Sequence, residues 1–303
     1  MTRPPVLLAA LLALAGCPAE APDAPEGAEE GTRFLMRSFY EDDLTLGAGL
    51  TGLMNWYDSE GSAIEGESPE LDADEAQDWT LEPLEAGDLA PTQGSSTDRP
   101  LDSMNGIIGV GTVLCTFEEV EALGGRPDQE VVFGDEWAHY ARTFETARAD
   151  YDAATVGTIP GLPDGVDPLV DDLTETAHSL MVTSNALGTL EVGVALDYTL
   201  NLHFRHGVFD IQGEQRRATV ILTWQPDPTE GDGGNNALHQ SFGVDVLVEV
   251  DGGVRRFAAT WNDVESLASG TDLLVRLTVN RINTFAQRMS DICQGEVEIP
   301  PEI

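Results

Sequence analysis

Two periods follow one another in the second half of the chain. Between residues 198 and 261 apolar side chains recur at every second position, and from residue 272 to 293 they recur every third or fourth. The first spacing belongs to strands with one buried face and the second to an amphipathic helix. A chain that switches between them must bury an antiparallel sheet against a closing helix. Tyr198, Leu200, Leu202 and Phe204 alternate with Thr199, Asn201, His203 and Arg205. Val220, Leu222 and Trp224 share a face of the next run, and after an exposed loop at 226–236 so do Val244, Val246, Val248 and Val250. Asp251-Gly252-Gly253 is a hairpin turn, and Phe257, Ala259 and Trp261 return from it. These runs make a meander of at least four strands. In the helix, Asp272 to Cys293, the stripe is Leu274, Leu277, Ile282, Phe285, Met289 and Ile292, with Arg276, Arg281 and Arg288 outside it and Gly295 as its stop.

Upstream, Gly106–Leu114 reads as a strand with Ile108, Val110, Thr112 and Leu114 on one face. Thr116 and Glu119 have capping-box spacing for a short helix that runs through Leu123 and closes at Gly124-Gly125. Residues 137–144 suit a strand better than a helix; a helix over 146–154 and a proline-rich loop over 158–173 follow. From Thr32 to Gly61 the apolar residues allow short strands near 34–39 and 52–57. Residues 60–90 are strongly acidic, but Trp79, Leu81 and Leu84 interrupt the acids, so this stretch drapes over the body.

The N-terminus carries Arg3, an apolar run from Val6 to Ala15, and Leu14-Ala15-Gly16-Cys17. The run has signal-peptide length and is too short to span a bilayer. Its end resembles the bacterial lipobox. That resemblance implies cleavage before Cys17, acylation of Cys17, and anchoring in the envelope of a Gram-negative bacterium. Pro18 in place of the aspartate that favours inner-membrane retention implies the outer membrane. Domain limits follow: a signal peptide over 1–16, a lipidated cysteine and acidic disordered tether over 17–31, an acidic N-terminal extension over 32–103, and an α+β domain over 104–303. With Cys17 used, Cys115 and Cys293 remain, and an oxidising compartment favours a bond between them over two buried thiols.

Charge and motifs exclude more than they assign. The formal net charge is −39, and all bases are arginine. Such a chain repels nucleic acid, and without lysine it has no phosphate-loop lysine and no Schiff base. The acids also make a soluble, self-repelling surface. His203 and His206 are three apart, which on a strand sends them to opposite faces and argues against a shared metal. His139, His178 and His239 lack ligand spacing, and Asp164, Asp167, Asp227, Glu230 and Asp232 miss the register of a calcium loop. Gly106, Gly109 and Gly111 are in the wrong order for a dinucleotide loop. No catalytic, metal or cofactor motif is present, so an enzyme is only the third reading.

The element order (strand, short helix, strand, helix, meander, long terminal helix) over 104–303 resembles the helix-grip fold of the START-like (SRPBCC) superfamily. In that fold a curved sheet wraps the terminal helix and often leaves an apolar cavity between them. The resemblance implies a site for an apolar small molecule or lipid. Its lining would come from Tyr198, Leu202, Phe204, Leu222, Trp224, Val246, Phe257 and Trp261 on the sheet, and from Ile282, Phe285 and Met289 on the helix. Those side chains either interdigitate into a dry core, which leaves a structural or protein-interaction module of the envelope, or line a pocket that Tyr198, Trp224 and Trp261 would orient. The stretches at 52–61, 126–133, 204–214 and 287–295 also resemble predicted lipoproteins of myxobacterium-like Gram-negative bacteria, which implies a shared fold and address but no activity.

Overall fold

The computed structural model describes residues 20–67, 76–133, 137–144, 178–187, 196–230, 236–266 and 271–301. Its first layer is a helical hairpin, α1 (Gly27–Arg37) and α2 (Asp43–Ser59). Asp42 caps α2 by accepting the Thr45 backbone N–H at 2.8 Å. Leu35, Met36 and Phe39, then Leu46, Leu50 and Leu53, are fully buried at helical spacing. The short strands expected at 34–39 and 52–57 are therefore helices, and the disordered tether expected through residue 31 gives way to helix at Gly27. Glycines obscured the pattern, since each lowers helix propensity. Their use is close packing: a Cβ on Gly31 would lie 2.8 Å from Leu53, and one on Gly49 2.6 Å from Leu35.

Among the described residues, nine strands form one antiparallel sheet. They are β1 (Thr80–Leu81), β2 (Asn105–Val113), β3 (Trp137–Phe144), β4 (His178–Leu187), β5 (Leu196–Ile211), β6 (Glu214–Trp224), β7 (Thr229–Glu230), β8 (Asn236–Val250) and β9 (Gly253–Ser266). Their order is β1-β2-β9-β8-β6-β5-β4-β3, with β7 beside β8. Two short helices, α3 (Phe117–Gly124) and α4 (Gln129–Phe133), lie between β2 and β3, and α5 (Thr271–Cys293) ends the fold. The architecture is α+β, an open antiparallel sheet with a C-terminal helix. The capping box at Thr116–Glu119, the strand at 137–144 and the turn with Gly252 at φ 85° are as the sequence indicated. Four elements, β1, α4, β4 and β7, were not legible in the sequence. The helix expected at 146–154 and the loop at 158–173 lie outside the described residues.

The sheet is covered on both faces, and this decides where any site can be. Register places Val110, Phe257, Val246 and Val220 in one row across four strands, and Ile108, Ala259, Val244 and Leu222 in the next. All eight are at most 4% exposed and belong to the core that also holds the α1 and α2 side chains. Trp56 and Tyr57 of α2 meet the Phe257 ring at 6.3 and 6.2 Å. The extension is thus a structural layer over the apolar face. The opposite face, offset by one residue on every strand, carries α5. A Cβ on Gly109 would sit 2.9 Å from Ile282, and one on Gly111 3.3 Å from Ala286, so these glycines admit the helix onto β2.

Candidate functional site

The α5 backbone comes closest to β2 at one edge of the sheet. Val275, Val279, Ile282, Ala286 and Met289 form its buried seam, a quarter-turn from the stripe read from the sequence. The adjacent stripe, Leu274, Thr278, Arg281 and Phe285, is half-buried. It turns toward the middle of the sheet, because Arg281 hydrogen-bonds Tyr198 of β5 and Phe285 receives the Arg256 guanidinium of β9 at 4.6 Å. We call the interface between that stripe and the sheet the groove. Phe204, Ile221, Asp245 and Ala258 form one row of its floor, and Leu202, Thr223, Gly243 and Thr260 the next. Leu202, Ile221 and Thr223 are only half-buried.

Both ends of the groove are polar. At one end Arg256 Nε donates to both Asp245 carboxylate oxygens at 3.0 and 2.9 Å, and Phe285 stacks between Arg256 and Phe133 of α4, with ring centroids 4.3 Å apart. The pair is almost withdrawn from water, with side chains 11% and 22% exposed, so its charges neutralise one another instead of presenting a free cation. At the other end burial pushes the Tyr198 hydroxyl pKa up, and Arg281 pulls it back. Tyr198 therefore stays protonated, as a donor and acceptor at the groove edge.

This arrangement divides the expected lining residues. Tyr198, Leu202, Phe204 and Phe285 do belong to the groove. Ile282 and Met289 sit in the seam beside it. Leu222, Trp224, Val246, Phe257 and Trp261 do not face α5: they lie on the far face, beneath α1 and α2. Trp261 donates its indole N–H to Glu82 O at 3.0 Å, and Gly106 opposite it leaves room for the ring. The sequence reading took the largest apolar set of each strand as facing the terminal helix. The facing set on β6, β8 and β9 mixes apolar residues (Ile221, Leu247, Val254) with small or polar ones (Thr223, Gly243, Asp245, Arg256, Thr260), which breaks up its apolar signal. Strand parity through the hairpin turns could have revealed it.

Other constellations are accounted for structurally. Cys115 and Cys293 form a disulfide, with Cα atoms 5.5 Å apart. Glu119 lies near enough to make a three-ligand metal group with them, but the two sulfurs are bonded to each other and the carboxylate closes the capping box on Thr116. His203 and His206 face opposite sides of the sheet as expected. His206 Nδ1 meets Glu121 Oε1 at 2.5 Å and Thr219 Oγ1 at 2.7 Å. Among the described residues no helix is long and apolar enough to cross a membrane.

No family model and no curated protein matches the chain. Among solved structures, the human StarD13 (DLC2) lipid transfer and protein localization domain is similar over 65% of this chain and 86% of that one, with a TM-score of 0.35 and 6% identity. Values this low carry no functional argument, which rests instead on the groove.

Proposed function

We propose that the protein binds an apolar small molecule or lipid in the groove between α5 and the sheet. The carrying observation is the half-burial of apolar side chains on both walls, Leu202 and Ile221 on the sheet and Leu274 and Phe285 on the helix, while the opposite face of the sheet is sealed by α1 and α2. Full burial of an exposed side chain of this kind stabilises by about 1.5–3 kcal/mol, and completing a half-burial by roughly half of that, so these walls favour an apolar guest. Tyr198 and the Asp245–Arg256 pair give the guest polar contacts at either end. The working location is the envelope of a Gram-negative bacterium, with lipidated Cys17 holding the fold at the outer membrane. An environment-sensitive apolar dye tests the site: it should bind with one-to-one stoichiometry and lose affinity at least tenfold in Ile221→Trp. Equal binding by wild type and variant excludes the groove.

A second reading is a non-catalytic interaction module with a filled core. It is favoured by the Phe133–Phe285–Arg256 stack and the Tyr198–Arg281 contact, which occupy both ends of the groove with the protein's own side chains.

A further inference from the structure

His203 and Arg205 project from β5 onto the face covered by the helical hairpin, and they are 3% and 0% exposed. Both are engaged by the turn between α1 and α2. Arg205 Nη1 donates to the carbonyls of Phe39 and Glu41 at 2.6 and 2.7 Å, and Nη2 donates to Asp43. His203 Nδ1 hydrogen-bonds the Tyr40 hydroxyl, which also meets Thr92 Oγ1 at 2.7 Å. Trp224 packs edge-on against the imidazole at 4.9 Å, and Nε2 is buried with no hydrogen-bond partner among the described residues.

A neutral imidazole suits this enclosure, because one nitrogen is served by Tyr40. A charged one does not. Either neutral tautomer leaves Nε2 unpaired at the cost of one neutral group, whereas imidazolium would set a charged N–H donor against apolar wall. It would also place a second buried cation two residues from Arg205 on the same face of one strand. Among the described side chains, the charged groups at this spot are on β5 and the helical turn: Arg205, Glu41, Asp42 and Asp43, and all three acids already act on Arg205; on β4 the backbone register sets Leu180 opposite His203 and His178 opposite Arg205. Thr92 from the segment before β2 and Trp224 and Leu222 from β6 are uncharged. Asp88, on the segment carrying Thr92, is paired with Arg33 and Arg37.

We infer that His203 is the release of an acid-operated latch: its protonation undocks the α1–α2 hairpin and bares the apolar sheet face, while α5 and the disulfide hold the remaining fold together. Burial lowers the His203 pKa from 6.5 to about 4. A histidine depressed in the docked state takes up its proton more readily when undocked. Docking is therefore at full strength above pH 6.5 and weakens as pH falls through 6.5 toward 4, by up to tenfold per unit. The inference does not depend on the groove, which lies on the other face.

Hydrogen exchange of the full chain from pH 7.5 to 4.5, corrected for intrinsic rates, tests the latch. The opening equilibrium of α1 and α2 should rise about 40-fold from pH 6.5 to 4.5, while β8 and β9 amides stay protected. His203→Gln, which keeps a hydrogen-bonding group for Tyr40, should abolish that pH slope. Asp43→Asn should raise opening at every pH and leave the slope intact. Simultaneous exposure of β8 and β9 with the helices, or a wild-type slope in His203→Gln, overturns the inference. An NMR titration of the wild-type His203 ring provides a check without mutation: a midpoint near 6.5 with the hairpin docked also overturns it.

Discussion

Tyr198 of β5 hydrogen-bonds Arg281 of α5, although β9, β8 and β6 separate β5 from β2, the strand on which α5 rests. That contact requires the sheet to curl around the helix, and it closes the far side of the grip. Tyr198→Phe should cost about 1.5–3 kcal/mol, the worth of a hydrogen bond to a charged group. Arg281→Leu should raise the Tyr198 pKa further, because the group that pulls it down is gone. Ultraviolet titration of the phenol reads the shift, and a double-mutant cycle reads the coupling; additive losses would place no bond between them.

The disulfide joins the start of α3 to the end of α5 across 178 residues of sequence. On the chain-entropy account such a loop stabilises the fold by about 5 kcal/mol. The Cys115→Ser, Cys293→Ser double variant should lose several kcal/mol in urea unfolding, and wild type should behave likewise once reduced. A loss under about 1 kcal/mol would show that the bond constrains little in the unfolded chain.

Gly109 is where the helix meets the sheet most tightly. Gly109→Val puts methyl groups into the space of Ile282 and should cost about 1–3 kcal/mol by overpacking. Adding Ile282→Ala to that variant should return part of the loss. If the double variant is instead as unstable as the sum of the singles, the two positions do not share the space.

The strands of the meander, the terminal helix and the disulfide were legible in the sequence, because alternation at 198–204 and 244–250 and the spacing of Ile282, Phe285 and Met289 are strong local signals. The helical hairpin was not. Gly31, Gly47, Gly49 and Gly52 weaken helical propensity there, and only tertiary contact with Leu53, Asp210, Leu35 and Pro25 explains them. The same blindness displaced the site. Without knowing that α1 and α2 cover Val246 and Phe257, nothing local says that the polar row with Asp245 and Arg256 faces α5. Those two residues looked like solvated strand positions, yet they are an ion pair at the groove floor.

Lipidation of Cys17 is an expectation from the lipobox resemblance. Wild type should partition into detergent and carry acyl mass, and Cys17→Ser should be released or remain unprocessed. A Cys17→Ser protein that is cut and membrane-bound like wild type removes the anchor from this account.

The central claim is that the groove holds an apolar guest. Native purification followed by solvent extraction and mass spectrometry of the bound fraction tests it directly, with Ile221→Trp purified in parallel to separate guests of the groove from lipids carried on the anchor. The account predicts a defined apolar species near one equivalent in wild type and strongly depleted in Ile221→Trp. Equal lipid content in the two proteins, or none in wild type, would contradict it.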